Sequence, residues 1–281
     1  MTPKIHPDTT VGRVSLKVAD LDRLADYYQT VIGFTLRDQT AGQVTLGTAN
    51  EDILVLIESR GGRAMPNRPG LYHFAILLPS RPALGQWLKH LAESGYRLQG
   101  ASDHAVSEAL YLADPEGNGI EVYRDRPRAE WPLVGNEVQM TLDPLDFEGV
   151  VAEVTPTAWA GLPTGTTLGH IHLQVNDTHQ AEAFYVDVLG FDLMQRYPGA
   201  SFISAGGYHH HLGANVWHSA GAAPRPPEAL GLHAFSIVLP DEAERQRLVA
   251  KIEAAGRPIE DTADGPLVRD PAGNGVVLGV V

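Results

Sequence analysis

Apolar and polar residues alternate in short runs along this chain, and each run is followed by a segment with helical periodicity. Val14, Leu16 and Val18 alternate with polar residues, as in a strand with one buried face. The segment after them has an apolar helical face that ends before Gly33, formed by Leu24, Tyr27, Tyr28 and Val31. Two or three further strands follow, so the pattern predicts a unit of the order β-α-β-β-β.

Internal repeats indicate that this unit occurs four times. Val11–Phe34 parallels Leu168–Phe191, and both segments end in a Gly-Phe pair. Two further pairs of segments match: Gly70–Ser80 with Leu230–Asp241, and Ala113–Tyr123 with Arg269–Gly279. Each half of the chain therefore contains two related units. Helices of the second and fourth units are predicted at Pro82–Ser94 and Asp241–Ala255.

The repeats also predict a domain division. Two units form an N-terminal domain at 1–128, and two form a C-terminal domain at 165–281. Residues 129–164 are rich in proline, glycine and acidic groups, which is typical of a linker. A short helix is predicted within this linker, at Met140–Glu153.

Composition narrows the functional classes. The net charge of −13 argues against a nucleic-acid partner, since phosphates are bound by lysine and arginine. No apolar run is long enough to span a bilayer, and the N-terminus lacks the apolar segment of a signal peptide. We therefore expect a cytoplasmic protein without a membrane partner. The chain has no cysteine, so a bound metal would have imidazole, carboxylate or main-chain oxygen ligands.

One segment carries a long motif. In HAVSEALYLADPEGNGIE (His104–Glu121), the motif positions are His104, Leu110, Tyr111, Asp114, Pro115, Gly117 and Glu121. This spacing resembles the ring-cleavage signature of type I extradiol dioxygenases, members of the vicinal oxygen chelate superfamily. Ser102 departs from the signature, which prefers another residue there. The resemblance implies an α+β fold in which four βαβββ units form two half-open mixed β-sheets, here called cups, one of which surrounds a metal.

The resemblance also implies where metal ligands lie. In this superfamily they come from the first strands of two units and the last strand of one of them. The first-strand positions of the four units are Arg13, His73, His170 and Ala234, and the last-strand positions are Glu121 and Val277. The complete set is therefore His73, Glu121 and His170, from the second and third units. It could form within one chain or across a swapped dimer.

One alternative ligand stays open at this point. His172 lies two residues from His170 and faces the same way in a strand. It could replace His170 as a ligand or support it. The repeat position favours His170.

Three adjacent histidines, His209, His210 and His211, offer a proton-transfer group. Extradiol enzymes carry a histidine near the end of the corresponding unit that shuttles a proton. If this segment is a strand, His209 and His211 share one face and His210 takes the other. We prefer His211 as this residue, with His210 as the alternative. Tyr111 and His104 are expected to hydrogen-bond the reacting oxygen atoms, and the pocket wall is expected to include Trp217, Phe202 and Tyr208.

The predicted function is therefore extradiol cleavage of a catechol-like aromatic by O2. Fe(II) is the expected metal, with Mn(II), Zn(II) or Ni(II) as alternatives. The competing hypotheses are a glyoxalase-like metal-dependent isomerase or lyase, a hydroquinone ring-cleaving dioxygenase and a non-enzymatic small-molecule binding module. A homodimer is compatible with each of them.

Overall fold

The computed structural model describes residues 4–134, 137–155 and 157–281, in which it has eighteen β-strands and five α-helices. The helices are α1 (Leu21–Tyr27), α2 (Arg81–Ser94), α3 (Phe147–Ala152), α4 (Thr178–Glu182) and α5 (Glu242–Ala254). The first nine strands are β1 (Thr10–Val18), β2 (Thr35–Thr40), β3 (Gln43–Gly47), β4 (Asp52–Glu58), β5 (Gly70–Leu78), β6 (Gly100–Asp103), β7 (Ser107–Ala113), β8 (Gly119–Asp125) and β9 (Leu133–Val134). The others are β10 (Glu137–Val138), β11 (Thr167–Gln174), β12 (Asp192–Tyr197), β13 (Ala200–Ser204), β14 (Leu212–Asn215), β15 (Gly231–Leu239), β16 (Ile259–Thr262), β17 (Gly265–Arg269) and β18 (Gly275–Val280).

Most strands belong to two eight-stranded mixed sheets. The first sheet has the order β16-β17-β18-β15-β1-β4-β3-β2, and the second has the order β12-β13-β14-β11-β5-β8-β7-β6. The pairs β5/β8, β11/β14 and β15/β18 are parallel, whereas the outer neighbours are antiparallel. The predicted α+β fold of four βαβββ units with two half-open mixed sheets is confirmed.

Residue contacts group the chain into two compact units. One comprises residues 18–60 and 73–168, and the other comprises residues 1–17, 61–72 and 169–281. The domain boundaries proposed from the sequence stay a prediction. Among the described residues, no helix is both long and apolar enough to cross a membrane.

The helix ends largely follow the sequence signals. Asp20 and Asp177 are the N-caps of α1 and α4, and each side chain accepts a backbone N–H. Gly33 and Gly190 end the helical segments in the left-handed region, with φ of 95° and 96°. A π-helical turn precedes each of these two glycines, at Tyr28–Ile32 and Ala183–Leu189. The hydrophobic pattern did not predict these π-helical turns.

The helix predicted at Met140–Glu153 is too long. The observed helix begins only after Pro144 and spans Phe147–Ala152, and Asp146 is its N-cap. A proline disfavours helical backbone at the residue that precedes it. Asp143 instead exchanges two backbone hydrogen bonds of 2.9 Å with Asp103, so the linker runs along the edge strand β6.

A buried ionic network lies on β7 and β8. The Glu108 carboxylate is 1% exposed and accepts hydrogen bonds from Arg81 and Arg124 at 2.8 and 2.7 Å. Arg126 lies 3.5 Å from the same carboxylate and pairs more closely with Asp103. Arg81 also pairs with Glu153, which follows α3. The network therefore links α2, two strands and the linker.

Glu108→Gln is expected to destabilise the protein by about 3–5 kcal/mol, because it leaves the buried Arg124 guanidinium without its counter-charge. Chemical denaturation would measure the loss. Glu93→Gln makes the same change at an exposed position of α2 and should leave the free energy of unfolding unchanged. Equal stabilities of the two variants would contradict the role given to Glu108.

Candidate metal centre

Two imidazoles and one carboxylate come together on the second sheet. The ligand atoms of His73, Glu121 and His170 all lie within 4.8 Å of one another. The distance between His73 Nε2 and Glu121 Oε2 is 3.0 Å. All three residues are buried, with exposed fractions of 7%, 2% and 1%.

Strand register places these side chains on one face. Glu121 of β8 lies opposite Ala75 of β5 and opposite Tyr111 of β7. His73 precedes Ala75 by two residues, so both point to the same side of the sheet. His170 comes from β11, which neighbours β5 in the sheet order. Ala75 is small and fully buried, which leaves room above it for the larger side chains.

The donor set fits a divalent metal of the facial type. Two imidazoles and one carboxylate on one side leave other coordination positions open, as in non-haem Fe(II) sites. At metal–ligand bonds of about 2.1 Å, two ligands at a right angle are about 3 Å apart. The 3.0 Å between His73 and Glu121 matches that spacing. Within the part of the chain that the structure describes, no other such group of three occurs.

His172 belongs to an aromatic cluster instead of this group. Its ring centroid lies 5.0 Å from Tyr72, 5.8 Å from Phe202 and 5.5 Å from Trp217. Gly213 lies opposite His172 on β14, and a Cβ atom there would be 2.7 Å from the imidazole ring. The absence of a side chain at Gly213 thus makes room for His172.

Gly213→Ala is therefore expected to displace the His172 ring and to destabilise the protein by about 1–3 kcal/mol, as overpacking does. Thermal unfolding would measure the change. Gly279→Ala is a matched control, since a Cβ atom at this strand glycine would meet ordinary contacts at 3.6 Å. A Gly213 variant as stable as this control would show that the ring has space to move.

His104 and Tyr111 form a hydrogen-bonded pair beside His73. Tyr111 Oη lies 2.6 Å from His104 Nε2, and the rings of Tyr111 and His73 are 5.8 Å apart. His104 Nδ1 lies 2.7 Å from the main-chain oxygen of Thr141. Because that oxygen can only accept, Nδ1 carries a proton, and Nε2 of the neutral ring accepts the Tyr111 O–H. The sequence analysis missed Thr141, because a carbonyl contact leaves no mark on residue type.

The strand prediction for the three adjacent histidines is wrong. They lie in the loop before β14, so alternation does not apply to them. The His210 ring is 4.1 Å from the His170 ring, and its Nδ1 is 2.8 Å from His209 Nδ1. His211 Nδ1 accepts the Ala205 N–H at 3.2 Å. The face argument for His211 therefore has no basis.

The three residues predicted to form the pocket wall pack against different histidines. Phe202 packs against both His172 and His210, at 5.8 and 5.0 Å. Trp217 packs against His172. Tyr208 packs against His209 and His211, at 4.1 and 4.8 Å.

Comparisons with known proteins identify the family of this chain. Residues 10–122 and 167–278 match the family model of the Glyoxalase/Bleomycin resistance protein/Dioxygenase superfamily. The protein named Catechol-2,3-dioxygenase of Bacillus subtilis (strain 168) is 44% identical over 284 residues, which cover 99% of each chain.

Two solved structures share the fold. A Bacillus subtilis subsp. subtilis str. 168 protein, provisionally described as a dioxygenase, has a TM-score of 0.66 at 12% identity and covers 99% of this chain and 86% of its own. Glyoxalase I from Zea mays has a TM-score of 0.59 at 17% identity, with coverages of 96% and 92%. At these identities the likeness concerns the fold alone. The family-model match and the relative of 44% identity show that the chain belongs to the Glyoxalase/Bleomycin resistance protein/Dioxygenase superfamily.

Proposed function

We propose that this protein is an extradiol dioxygenase that opens a catechol-like aromatic ring with O2. The observation that carries the proposal is the buried group of His73, Glu121 and His170 beside the Tyr111–His104 pair. The full-length similarity to a protein named Catechol-2,3-dioxygenase supports the same reaction.

His73, Glu121 and His170 would hold Fe(II) in this proposal. When bound, Fe(II) lowers the pKa of a catechol hydroxyl and brings the catechol and O2 into neighbouring positions. Glu121 supplies the negative ligand, and the two neutral imidazoles complete one side of the coordination sphere. Burial of all three side chains keeps competing water away.

Tyr111 would orient the substrate. Its O–H donates to His104 Nε2, whose orientation is fixed by the Thr141 carbonyl. In this proposal the Tyr111 oxygen accepts a hydrogen bond from a catechol hydroxyl. This arrangement favours a substrate with a hydroxyl group at this position over one without it.

His210 is our proposed acid–base residue, in place of His211. Its ring packs against that of His170, close to where a catechol would sit. Its Nδ1 meets His209 Nδ1, so one of these two nitrogen atoms carries the shared proton. That contact orients the ring, and we assign the exchange of a proton with the substrate to its other nitrogen, Nε2.

A substrate panel tests the proposed reaction. The protein would be loaded with Fe(II) under argon and mixed with aerated catechol, hydroquinone or the hemithioacetal of methylglyoxal and glutathione. We expect catechol alone to give a ring-opened semialdehyde with matching O2 uptake. Cleavage of hydroquinone would favour the hydroquinone dioxygenase, and thioester formation would favour the glyoxalase-like isomerase. Parallel loading with Mn(II), Zn(II) and Ni(II) tests the metal.

A further inference from the structure

We propose that Gln174 and Asn215 form a second recognition point, which binds a neutral hydroxyl or amide group on a side chain of the aromatic substrate. Both residues lie in the compact unit that contains His170. This inference rests on the proposed function, because it assumes that an aromatic ring is held beside His170.

Register connects the two amides to the metal ligand. His170, His172 and Gln174 are alternate residues of β11, so they share one face. At about 3.3 Å per residue, Gln174 lies about 13 Å from His170 along the strand. Asn215 of β14 lies directly opposite Gln174 in the parallel pair. The two amide side chains are therefore neighbours at the far end of this row.

Each amide has one atom committed and one atom available. Asn215 is fully buried, and its Oδ1 accepts a hydrogen bond from the backbone N–H of Trp217 at 3.2 Å. This bond fixes the orientation of the Asn215 amide. Gln174 Nε2 donates to the Leu71 carbonyl at 3.1 Å. Asn215 Nδ2 and Gln174 Oε1 are both buried, and neither has a hydrogen-bond partner among the described residues. A donor and an acceptor thus stand side by side.

Leaving such atoms unsatisfied is costly. Each buried polar group without a partner costs about 1–3 kcal/mol, so native proteins rarely keep one without a use. Here one donor and one acceptor lie on adjacent strands. A ligand group that accepts from the donor and donates to the acceptor would satisfy both. A hydroxyl or a primary amide does both.

Aromatic rings pack against His172, which lies between His170 and Gln174 on this face of the strand. The Trp217 ring is 5.3 Å from Tyr72 and 5.5 Å from His172, and it is held by a 3.0 Å hydrogen bond to Pro198 O. Trp217 is 41% exposed, so one part of this cluster reaches solvent. These rings suit the apolar part of a substituent that extends from the catechol toward Gln174.

Charge and length define the substrate class. Gln174 and Asn215 are both neutral, so neither supplies a counter-charge for a carboxylate. In this proposal the substituent extends about four heavy atoms beyond the ring, in the direction of the strand. The geometry therefore favours catechols with a short alkyl chain that ends in a hydroxyl or an amide.

Isosteric substrates test the inference. For the Fe(II)-loaded enzyme, we expect kcat/KM for 3- or 4-(3-hydroxypropyl)catechol to exceed that for the matching butylcatechol by about tenfold or more, because the butyl group leaves the two amides unpaired. The 2-carboxyethyl analogue should gain no such advantage. Gln174→Leu should abolish the preference through KM, with kcat for unsubstituted catechol unchanged. Gln180→Leu makes the same change at an exposed position and should keep the preference.

A second variant and a binding measurement distinguish failure of this inference from failure of the proposed reaction. Asn215→Asp keeps an acceptor for the backbone N–H of Trp217 and removes the Nδ2 donor. This variant should therefore also lose the preference for the hydroxypropyl substrate. Anaerobic calorimetry with the same ligand pair gives the preference without turnover.

If catechol is not cleaved but calorimetry shows the preference, the proposed reaction fails and the recognition point stands. If catechol is cleaved with no preference at either ring position, the amides hold only water and the inference is overturned. A preference for the carboxylate would overturn the neutral class.

Discussion

Glu121→Gln is expected to remove stoichiometric Fe(II) binding and, with it, ring cleavage. The change keeps the size of a side chain that is 2% exposed, so packing is preserved. It removes the one negative ligand of the three, next to His73. Loss of an outer-shell partner alone costs 10–100-fold in metal affinity, so loss of the ligand itself should cost more than about 100-fold. Iron content after desalting and kcat/KM for catechol would measure both effects.

A second buried carboxylate serves as the control for this variant. Glu108→Gln also neutralises a fully buried glutamate, but its partners are arginines. It should lower stability and leave the iron content of the folded protein at one per chain. An iron-loaded, active Glu121→Gln protein would contradict the ligand role of Glu121.

His210→Asn is expected to lower kcat for catechol by about 10²–10⁴-fold, the usual contribution of a general acid–base residue. Its ring packs on His170 but is not part of the ligand group, so iron content should change little. KM should also change little, because catechol is held chiefly by the metal and Tyr111 in this proposal. Stopped-flow absorbance would separate ring opening from binding.

The neighbouring histidine provides the comparison. The His211 ring packs against Tyr208 at 4.8 Å, whereas the His210 ring packs against the proposed ligand His170 at 4.1 Å. We therefore expect His211→Asn to reduce kcat much less than His210→Asn, by under about tenfold. If His211→Asn were the slower variant and His210→Asn nearly normal, the original preference for His211 would be restored.

The ligand positions could be predicted because the family resemblance implies which strand positions ligate, and the internal repeats show where those positions recur in this chain. Repetition of the unit identified equivalent positions, and a period of two fixes which side chains share a face. For that reason His73, Glu121 and His170 were named together, and the structure brings their ligand atoms together.

Features outside regular strands could not be predicted in this way. Alternation failed for His209–His211, because a loop does not impose a face on its residues. The contact between His104 and the Thr141 carbonyl depends on how the linker runs along β6. The available amide atoms of Gln174 and Asn215 depend on which of their other atoms are already bonded. Tertiary contacts decide each of these, and residue type does not encode them.

The most direct test is a single turnover under ¹⁸O2. Protein loaded with one Fe(II) per chain would be mixed anaerobically with one equivalent of catechol, exposed to ¹⁸O2 and quenched rapidly for mass spectrometry. The account predicts a ring-opened product with the mass of catechol plus two ¹⁸O atoms, formed by the wild type and absent from Glu121→Gln. Unchanged catechol, or a product that lacks ¹⁸O, would contradict it.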